Sequence, residues 1–345
     1  MGHVNPALAV HQVLKDEDGY SCLFLGSRRR AEREAVERQG LPFVPLFSGK
    51  LRRYFSLKNL TDIPLIILGF CQAWCVLLRY RPDVVFSKGG YVSVPAVAAA
   101  RLLRIPVVTH ESDASPGLAT RIIARWAKKV CVAFPEAGQG LPQEKVVVTG
   151  NPVRPQLFLP SHVDMKRKLG TDKPLVLVIG GSQGAREINE LVWDNLDELT
   201  GMAFIYHQCG QGQWKPLRHD GYRAVPYIGE ELNDLYHAAD LVVSRSGAGA
   251  VGEICHYGKP SLLVPLSTAS SRGDQVRNAE RMERLGAAVV YHPGDDFPKM
   301  VHSLLEDGEK RSKLGTKARA CATDDAAASL ARVIRECMYT QEKRP

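Results

Sequence analysis

The chain has 345 residues, 45% hydrophobic and 24% charged, an ordinary core-forming composition too long for one compact unit, so two domains are expected. No charged leader with a short apolar run and a small-residue cleavage site is visible, so secretion is disfavoured and the cytoplasm is the expected compartment. The net charge of +8 lies in the first part: residues 1–150 hold 20 Lys+Arg against 12 Asp+Glu, and the remainder 25 against 25. This directs the first half at an anionic partner, whether nucleic acid, a phosphate-bearing substrate or an acidic membrane surface.

The chain opens at Met1-Gly2-His3-Val4-Asn5-Pro6, which reads as the tail of a glycine turn entering a helix. The strand that should precede such a turn, central in its sheet, is missing; the expectation is that roughly ten residues lie upstream. Short apolar, β-branched runs then recur at Cys22–Gly26, Phe43–Phe47, Asp83–Phe86, Pro106–His110, Lys129–Phe134 and Val146–Gly150. The second half repeats them at Leu175–Gly180, Ala203–Gln208, Ala224–Ile228, Leu241–Ser244, Ser261–Leu266 and Ala287–Tyr291. Helical segments separate most of these runs. The alternation predicts two doubly wound α/β domains with parallel sheets, joined through the proline-marked stretch Asn151–His162. The eight cysteines form no C-x-x-C pair and are expected to be buried thiols.

Three glycine turns follow strands. Lys88-Gly89-Gly90-Tyr91 lies in the first half; Gly180-Gly181-Ser182-Gln183-Gly184-Ala185 and Arg245-Ser246-Gly247-Ala248-Gly249-Ala250 lie in the second. Backbone N–H groups at a helix start, clear of side chains, suit a diphosphate, although each turn alone could be a tight strand-to-helix connection. Gly247, Gly249 and Gly252 also fit G-x-G-x-x-G, but the motif follows the fourth strand of its half and the next strand lacks a ribose-binding acid, which disfavours an NAD enzyme. Glu253, one turn into a helix beginning near Ala250, could take both ribose hydroxyls; the alternative is a solvated helix residue. His3 could act as a base at a cleft or cap its own helix. His110-Glu111-Ser112-Asp113 offers polar ligands or an N-cap. No D-x-D pair is placed for a metal–diphosphate bridge.

Residues 63–78 are too apolar for a surface helix, yet short of the roughly 18 to 20 needed to span a bilayer. Arg52, Arg53, Lys58, Arg79 and Arg81 stand nearby, and a second segment carries Arg121, Arg125, Trp126, Lys128 and Lys129. The expectation is a patch lying on an anionic leaflet, with a buried helix as the alternative. Nucleic acid fits poorly, because no array of stacking aromatics interleaves the basic residues.

Seven ordered blocks carry a resemblance over essentially the whole chain: Gly2-His3-Val4-Asn5-Pro6, Gly89-Gly90-Tyr91-Val92-Ser93, His110-Glu111, Gly150-Asn151-Pro152-Val153-Arg154, Gly180–Ala185, Arg245-Ser246-Gly247-Ala248 with Glu253, and Asp274-Gln275 followed by Asn278-Ala279. They resemble the MurG family of peptidoglycan glycosyltransferases. The resemblance implies a glycosyltransferase B fold, two Rossmann-like domains facing across a cleft: residues 1–155 with a last helix, about 326–345, crossing back, and residues 156–325. It implies inverting transfer of N-acetylglucosamine from UDP-N-acetylglucosamine to the muramic acid 4-hydroxyl of lipid I, forming lipid II for cell-wall synthesis, with consequences for cell shape and division. No cofactor or metal is implied, and the place of work is the cytoplasmic face of the membrane.

By position, the resemblance implies that Ile228 offers backbone hydrogen bonds to uracil, Glu253 binds ribose, and Ser182 with the amides near Gly249 and Ala250 holds the diphosphate. Arg154 would stabilise departing UDP, and Asp274 and Gln275 would grip the sugar. Asp113, Gln183, Arg245, Ser246, Gly247 and Ala248 complete the expected donor site. His3 would be the base, with Asn5, Gly89, Gly90, Tyr91, His110 and Glu111 on the acceptor side. Familiar members carry Gln-Asn after His-Glu, where this chain has Ser112-Asp113, and Gln or His at the place of Asp274. Another enzyme on this scaffold, such as a glycolipid glycosyltransferase or UDP-N-acetylglucosamine 2-epimerase, is the alternative, as is a UDP-sugar-binding chain with impaired catalysis.

Overall fold

The computed structural model describes residues 4–17, 19–49, 57–153, 157, 159–161, 163–181, 184–266, 273–323 and 325–338, without the side chains of 57–61. The chain divides into two units, Met1–Pro152 with Asp324–Pro345, and Val153–Thr323. The first contains α1 (Val4–Leu14), β1 (Phe24–Gly26), α2 (Arg30–Glu37), β2 (Phe43–Pro45), α3 (Leu57–Tyr80), β3 (Val85–Ser87), α4 (Ser93–Leu102), β4 (Val107–Glu111), α5 (Leu118–Trp126), β5 (Lys129–Val132) and β6 (Val146–Val148). The second contains α6 (Met165–Leu169), β7 (Leu175–Ile179), α7 (Arg186–Asp194), α8 (Leu196–Met202), β8 (Phe204–Gln208), β9 (Tyr222–Val225), α9 (Leu232–Ala238) and β10 (Leu241–Ser244). It continues through α10 (Ala248–Tyr257), β11 (Ser261–Leu263), α11 (Asp274–Arg284), β12 (Val289–Val290), α12 (Phe297–Glu306) and α13 (Gly308–Ala320), and α14 (Ala326–Cys337) returns to the first unit.

Every apolar run read from the sequence overlaps a strand, although β9 begins two residues before its run, and every described pairing between named strands is parallel. The second unit is one six-stranded sheet in the order β12-β11-β10-β7-β8-β9, its first strand at the centre. All five residues of β7 are buried, as a strand covered on both faces requires. Val176, Val178, Ile188, Val192, Leu199, Val243, Val301 and Leu304 share one part of its core.

Among the described residues the first unit has no such continuous sheet. Its strands form the pair β1-β2 and the four-stranded order β3-β4-β5-β6, and no described strand joins β1 to β3. A shared core nevertheless binds both sheets: Leu25, Leu46 and Val85 pack with Val97, Ala100, Ile123 and Val130. On another face, α14 supplies Leu330, Ala331, Val333 and Ile334, which pack with Val10 and Leu14 of α1 and Val108 of β4.

The 24-residue α3 is longer than its apolar stretch, about 36 Å at 1.5 Å per residue. Asp62–Tyr80 is long and apolar enough to cross a bilayer by length and composition, which corrects the expectation that it is too short. Its attachments argue for a helix held against the domain instead. Phe70, Ala73, Trp74 and Leu77, spaced at helical intervals, enter the shared core, and Gln72 donates to Pro45 O at 2.7 Å while accepting from Phe47 N at 3.1 Å. Gly69 lies so close to β2 that an added Cβ would stand 1.9 Å from Phe47 O. Cys71 and Cys75, expected to be buried, are exposed on α3, and Cys22 and Cys321 are half-buried.

Gly69→Ala should therefore cost about 2–4 kcal/mol, in the range of overpacking and strain at a tight contact. Gly201, in α8 with open space around its added Cβ, should instead gain up to about 1 kcal/mol on replacement by Ala. Urea denaturation of the two variants checks the pair; equal stabilities would show that α3 is not clamped at Gly69.

Candidate active site

In an open parallel sheet, ligands collect beyond the carboxyl ends of the strands, and each unit has such an edge. In the second unit, β10 runs through Arg245 and Ser246 into Gly247, which precedes α10 with an extended backbone and no side-chain cap. The helix begins at Ala248, two residues earlier than the sequence indicated. Its first amides, including those of Gly249 and Ala250, have no partner within the helix by geometry. Space beside them is open: Cβ atoms added at Gly247 and Gly249 would meet nothing within 4 Å. The first turn holds no acidic residue, so its positive end is unopposed.

The surrounding side chains brace this turn. Ser246 Oγ donates to Gln275 O at 2.7 Å, Asn278 Nδ2 donates to Ser246 O at 2.9 Å, and Gln275 Oε1 accepts from Leu266 N at 3.1 Å. Asp274 is the first residue of α11, with Arg277 at 4.0 Å. Arg245 is half-buried, and desolvation lowers its guanidinium pKa while Glu187 opposes the shift. Glu253 is only 9% exposed, against the reading of a solvated helix residue; Tyr236 Oη donates to its Oε2 at 3.1 Å.

Sequence reasoning missed Gln208, although a polar residue closing an apolar strand at this edge was a usable signal. Its buried side chain donates from Nε2 to Gly181 O at 3.0 Å and accepts from Ile228 N at 2.9 Å. One amide thus joins the Gly180–Ala185 turn to the loop after β9, and the Ile228 N–H is already engaged. Gly184, at φ +78°, would place a Cβ 2.0 Å from Cys209 O, so only glycine lets the turn lie against β8. Beneath it, His207 Nε2 donates to Asn189 Oδ1 and its Nδ1 accepts from Tyr222 Oη, both at 3.0 Å. The tautomer follows from Asn189 Nδ2 donating to Cys209 O. Burial pushes the His207 pKa down to about 3.

At the first unit's edge, Gly89 and Gly90 adopt φ +71° and +80° between β3 and α4. Ser87 Oγ accepts from Gly89 N, and Ser93 Oγ donates to Gly89 O. Tyr91 follows in this turn, and Asn5 lies in the first turn of α1, both half-buried. His110 is completely buried and Glu111 nearly so. The carboxylate of Glu111 accepts from Asp113 N, Gly117 N and Thr120 Oγ1, so it organises the loop between β4 and α5. Asp113 lies in that loop, half-buried. Ser112 is no N-cap; α5 is preceded by Gly117.

A second residue the sequence reading did not single out is Lys88, 8% exposed. Its Nζ lies 2.5 Å from His110 Nδ1 and donates to Ser112 Oγ at 2.6 Å. His110 Nε2 donates to Gly150 O at 2.8 Å, which leaves Nδ1 to accept from the lysine. Desolvation lowers the Lys88 pKa to about 8, opposed by Glu111, Asp113 and Cys131. Burial, followed by the charge on Lys88, holds His110 well below the usual histidine range, with the Gly150 bond opposing. His3, Arg154, Ser182 and Gln183 lie outside the described residues, as do Arg52 and Arg53. Among the described residues no group of three His, Cys, Asp or Glu is arranged to hold a metal ion.

The chain is similar to known proteins. The glycosyltransferase family 28 N-terminal domain matches residues 1–132 and the family's C-terminal domain matches residues 175–333. The UDP-N-acetylglucosamine–N-acetylmuramyl-(pentapeptide) pyrophosphoryl-undecaprenol N-acetylglucosamine transferase of Clostridium kluyveri is 41% identical over 339 residues, 96% of each chain. The enzyme of the same description from Clostridium botulinum is 44% identical over 293 residues, 84% of this chain and 82% of its own. A crystal structure of Acinetobacter baumannii MurG superposes with a TM-score of 0.73 at 27% identity, covering 97% of this chain and 96% of that one.

His110 and His207 each bind fewer protons in the folded chain than in the unfolded chain, where each titrates near its ordinary value of about 6.5. Their contribution to stability is therefore present above pH about 6.5 and is lost as pH falls below it. Urea unfolding at pH 7 and pH 5 should show a loss approaching about 1.4 kcal/mol per pH unit for each ring in the acid part of that window. An unchanged stability would show that both rings accept protons without unfolding.

Proposed function

The chain belongs to glycosyltransferase family 28 and is a glycosyltransferase, and from that premise we propose that it moves N-acetylglucosamine from UDP-N-acetylglucosamine to lipid I, forming lipid II. The observation that carries the donor half is the uncapped start of α10 with buried Glu253 one turn further on. The amides of that start, with Ser182, Gln183 and Arg245, meet the diphosphate; Glu253 accepts from the ribose hydroxyls. The loop at Ile228 meets uracil through its carbonyl, its N–H being held by Gln208, and Asp274 and Gln275 take the sugar.

On the acceptor side, the Gly89–Gly90 turn and the start of α4 receive the pyrophosphate, with Asn5 and Tyr91 beside them. Glu111 acts from below, by fixing the loop that carries Asp113, and His110 by joining Lys88 to Gly150 O. The acceptor 4-hydroxyl attacks the anomeric carbon as its proton passes to a base, for which His3 is proposed. The bond from that carbon to the diphosphate breaks, and UDP leaves with the electron pair. In-line displacement inverts an α-linked donor to a β-linked product. Negative charge growing on UDP is met by the α10 amides, Arg245 and Arg154, electrostatic stabilisation that requires no further cofactor.

The lipid acceptor also requires an approach to a membrane. Ile63, Leu65, Ile67, Leu68 and Leu78 are exposed on α3, Ile67 by 57%, and Trp126 is exposed on α5; both helices pack against α4. With Arg79, Arg81, Arg121, Arg125, Lys128 and Lys129 around them, these side chains support peripheral binding to the anionic cytoplasmic leaflet.

The direct experiment is transfer of labelled N-acetylglucosamine from UDP-N-acetylglucosamine to a lipid I analogue. Formation of UDP-N-acetylmannosamine without acceptor would identify an epimerase instead. Glu253→Ala should weaken UDP binding about 10- to 100-fold, the worth of one or two hydrogen bonds to a charged group, with the far-UV circular dichroism unchanged; undiminished affinity would remove Glu253 from the site. Separately, Ile67→Glu with Leu68→Glu should lower binding to anionic vesicles by about tenfold or more and leave UDP affinity intact. Equal vesicle binding would reject the α3 surface.

A further inference from the structure

Two cation-forming side chains in hydrogen-bond contact are an unusual thing to bury, because desolvation and mutual repulsion both oppose their charged forms. Lys88 and His110 are so placed, at the carboxyl ends of the neighbouring strands β3 and β4. Burial and the adjacent ammonium keep the ring of His110 neutral, and the hydrogen bonds then fix its tautomer. His110 donates through Nε2 to a carbonyl that can only accept, so its Nδ1 is a lone pair facing the ammonium of Lys88. Ser112 Oγ accepts a second ammonium hydrogen. Acidic groups on the adjoining segments, Glu111 on β4 and Asp113 in the following loop, favour the charged lysine, and the Cys131 thiol on β5 faces it as well. The Glu111 carboxylate, however, is committed to Asp113 N, Gly117 N and Thr120 Oγ1.

We propose that Lys88 is a positioning residue for the acceptor: it holds His110 as the neutral Nε2–H tautomer and sets a buried positive charge next to the Gly89–Gly90 turn, where an acceptor pyrophosphate binds. The proposal rests on the acceptor reading given above. Lys88 immediately precedes the turn whose glycines take left-handed conformations, and its ammonium is held to β4 by His110 and Ser112. A charge in such a low-dielectric setting acts on a nearby anion more strongly than an exposed lysine would. His110 in turn carries the connection to Gly150 O, next to the crossing from the first unit to the second. One ammonium therefore fixes the β3 turn, the β4 end and the segment after β6 together.

With a Lys88 pKa of about 8, the positive charge is present at neutral pH and is lost as pH rises through that value. In the unmodified protein, the KM for a lipid I analogue with a shortened prenyl chain should rise above pH 8, while the KM for UDP-N-acetylglucosamine stays level. Lys88→Met should raise the acceptor KM about tenfold or more at pH 7, the worth of a hydrogen bond to a charged group, and abolish that alkaline rise. Ser112→Ala, a milder change, should give a smaller rise in the same parameter if Lys88→Met does not fold. Equal rises in donor and acceptor KM, or an unchanged acceptor KM with an unchanged pH profile, would overturn the proposal.

Nitrogen-15 NMR of His110 gives a readout independent of transfer. Neutral Nε2–H imidazole at pH 6 in the unmodified protein, and protonation at higher pH in Lys88→Met, are expected. A charged ring or the Nδ1–H form at pH 6 in the unmodified protein would refute the Lys88 assignment, even with transfer intact. Absence of transfer alongside the expected NMR behaviour would count against the lipid I reading and not against the Lys88–His110 pairing.

Discussion

A helix that begins at a glycine leaves its first amides to find partners outside the helix, and the second unit is arranged around one such beginning. Gly247 supplies no side chain to cap α10, and the space beside Gly247 and Gly249 is open. The neighbouring residues brace the turn without covering it: Ser246 and Asn278 tie it to α11. Gln208 binds the Gly181 turn to the Ile228 loop. An anion arriving at α10 would find donors already oriented, so little reorganisation is needed when negative charge develops on a leaving group.

The strands were the most legible part of this fold. Runs such as Leu175–Ile179 are apolar throughout because both faces are covered, and a run of that length between glycine and polar residues has few other readings. The glycine turns could also be located, since Gly89, Gly90, Gly181 and Gly184 hold positive φ that other residues rarely adopt. Long-range polar pairing was not legible. Lys88 and His110 are 22 residues apart, and Gln208 and Ile228 are 20 apart; no local spacing says that their side chains or amides meet. The length of α3 was misjudged for a related reason. Helix formation does not stop where hydrophobicity stops, so Leu57–Thr61 extends a helix whose apolar stretch begins later.

The outward face of α3 makes it apolar on both sides, although one side is bonded to its own domain. Its inner positions are spent on the shared core and its glycine on contact with β2. Pulling the helix into a membrane would strip Gln72 from the backbone groups it now satisfies at Pro45 and Phe47, leaving polar groups without partners. The exposed isoleucines and leucines take no part in those bonds, so attachment to the domain and the uncovered apolar surface reside on opposite sides of the same element.

The return of α14 to the first unit also bears on the order of folding. During synthesis, the strands of residues 24–148 emerge first, yet Val10, Leu14 and Val108 await Leu330, Ala331 and Ile334 for their packing. The second unit, continuous from Val153 to Thr323, has all of its core available before α14 leaves the ribosome. N-terminal-first folding during translation therefore leaves the earlier-made unit with an apolar face that only the last helix covers. A chaperone that shields that face until the last helix arrives would be working on a deficit written into the connectivity, not on a weakness of the individual strands.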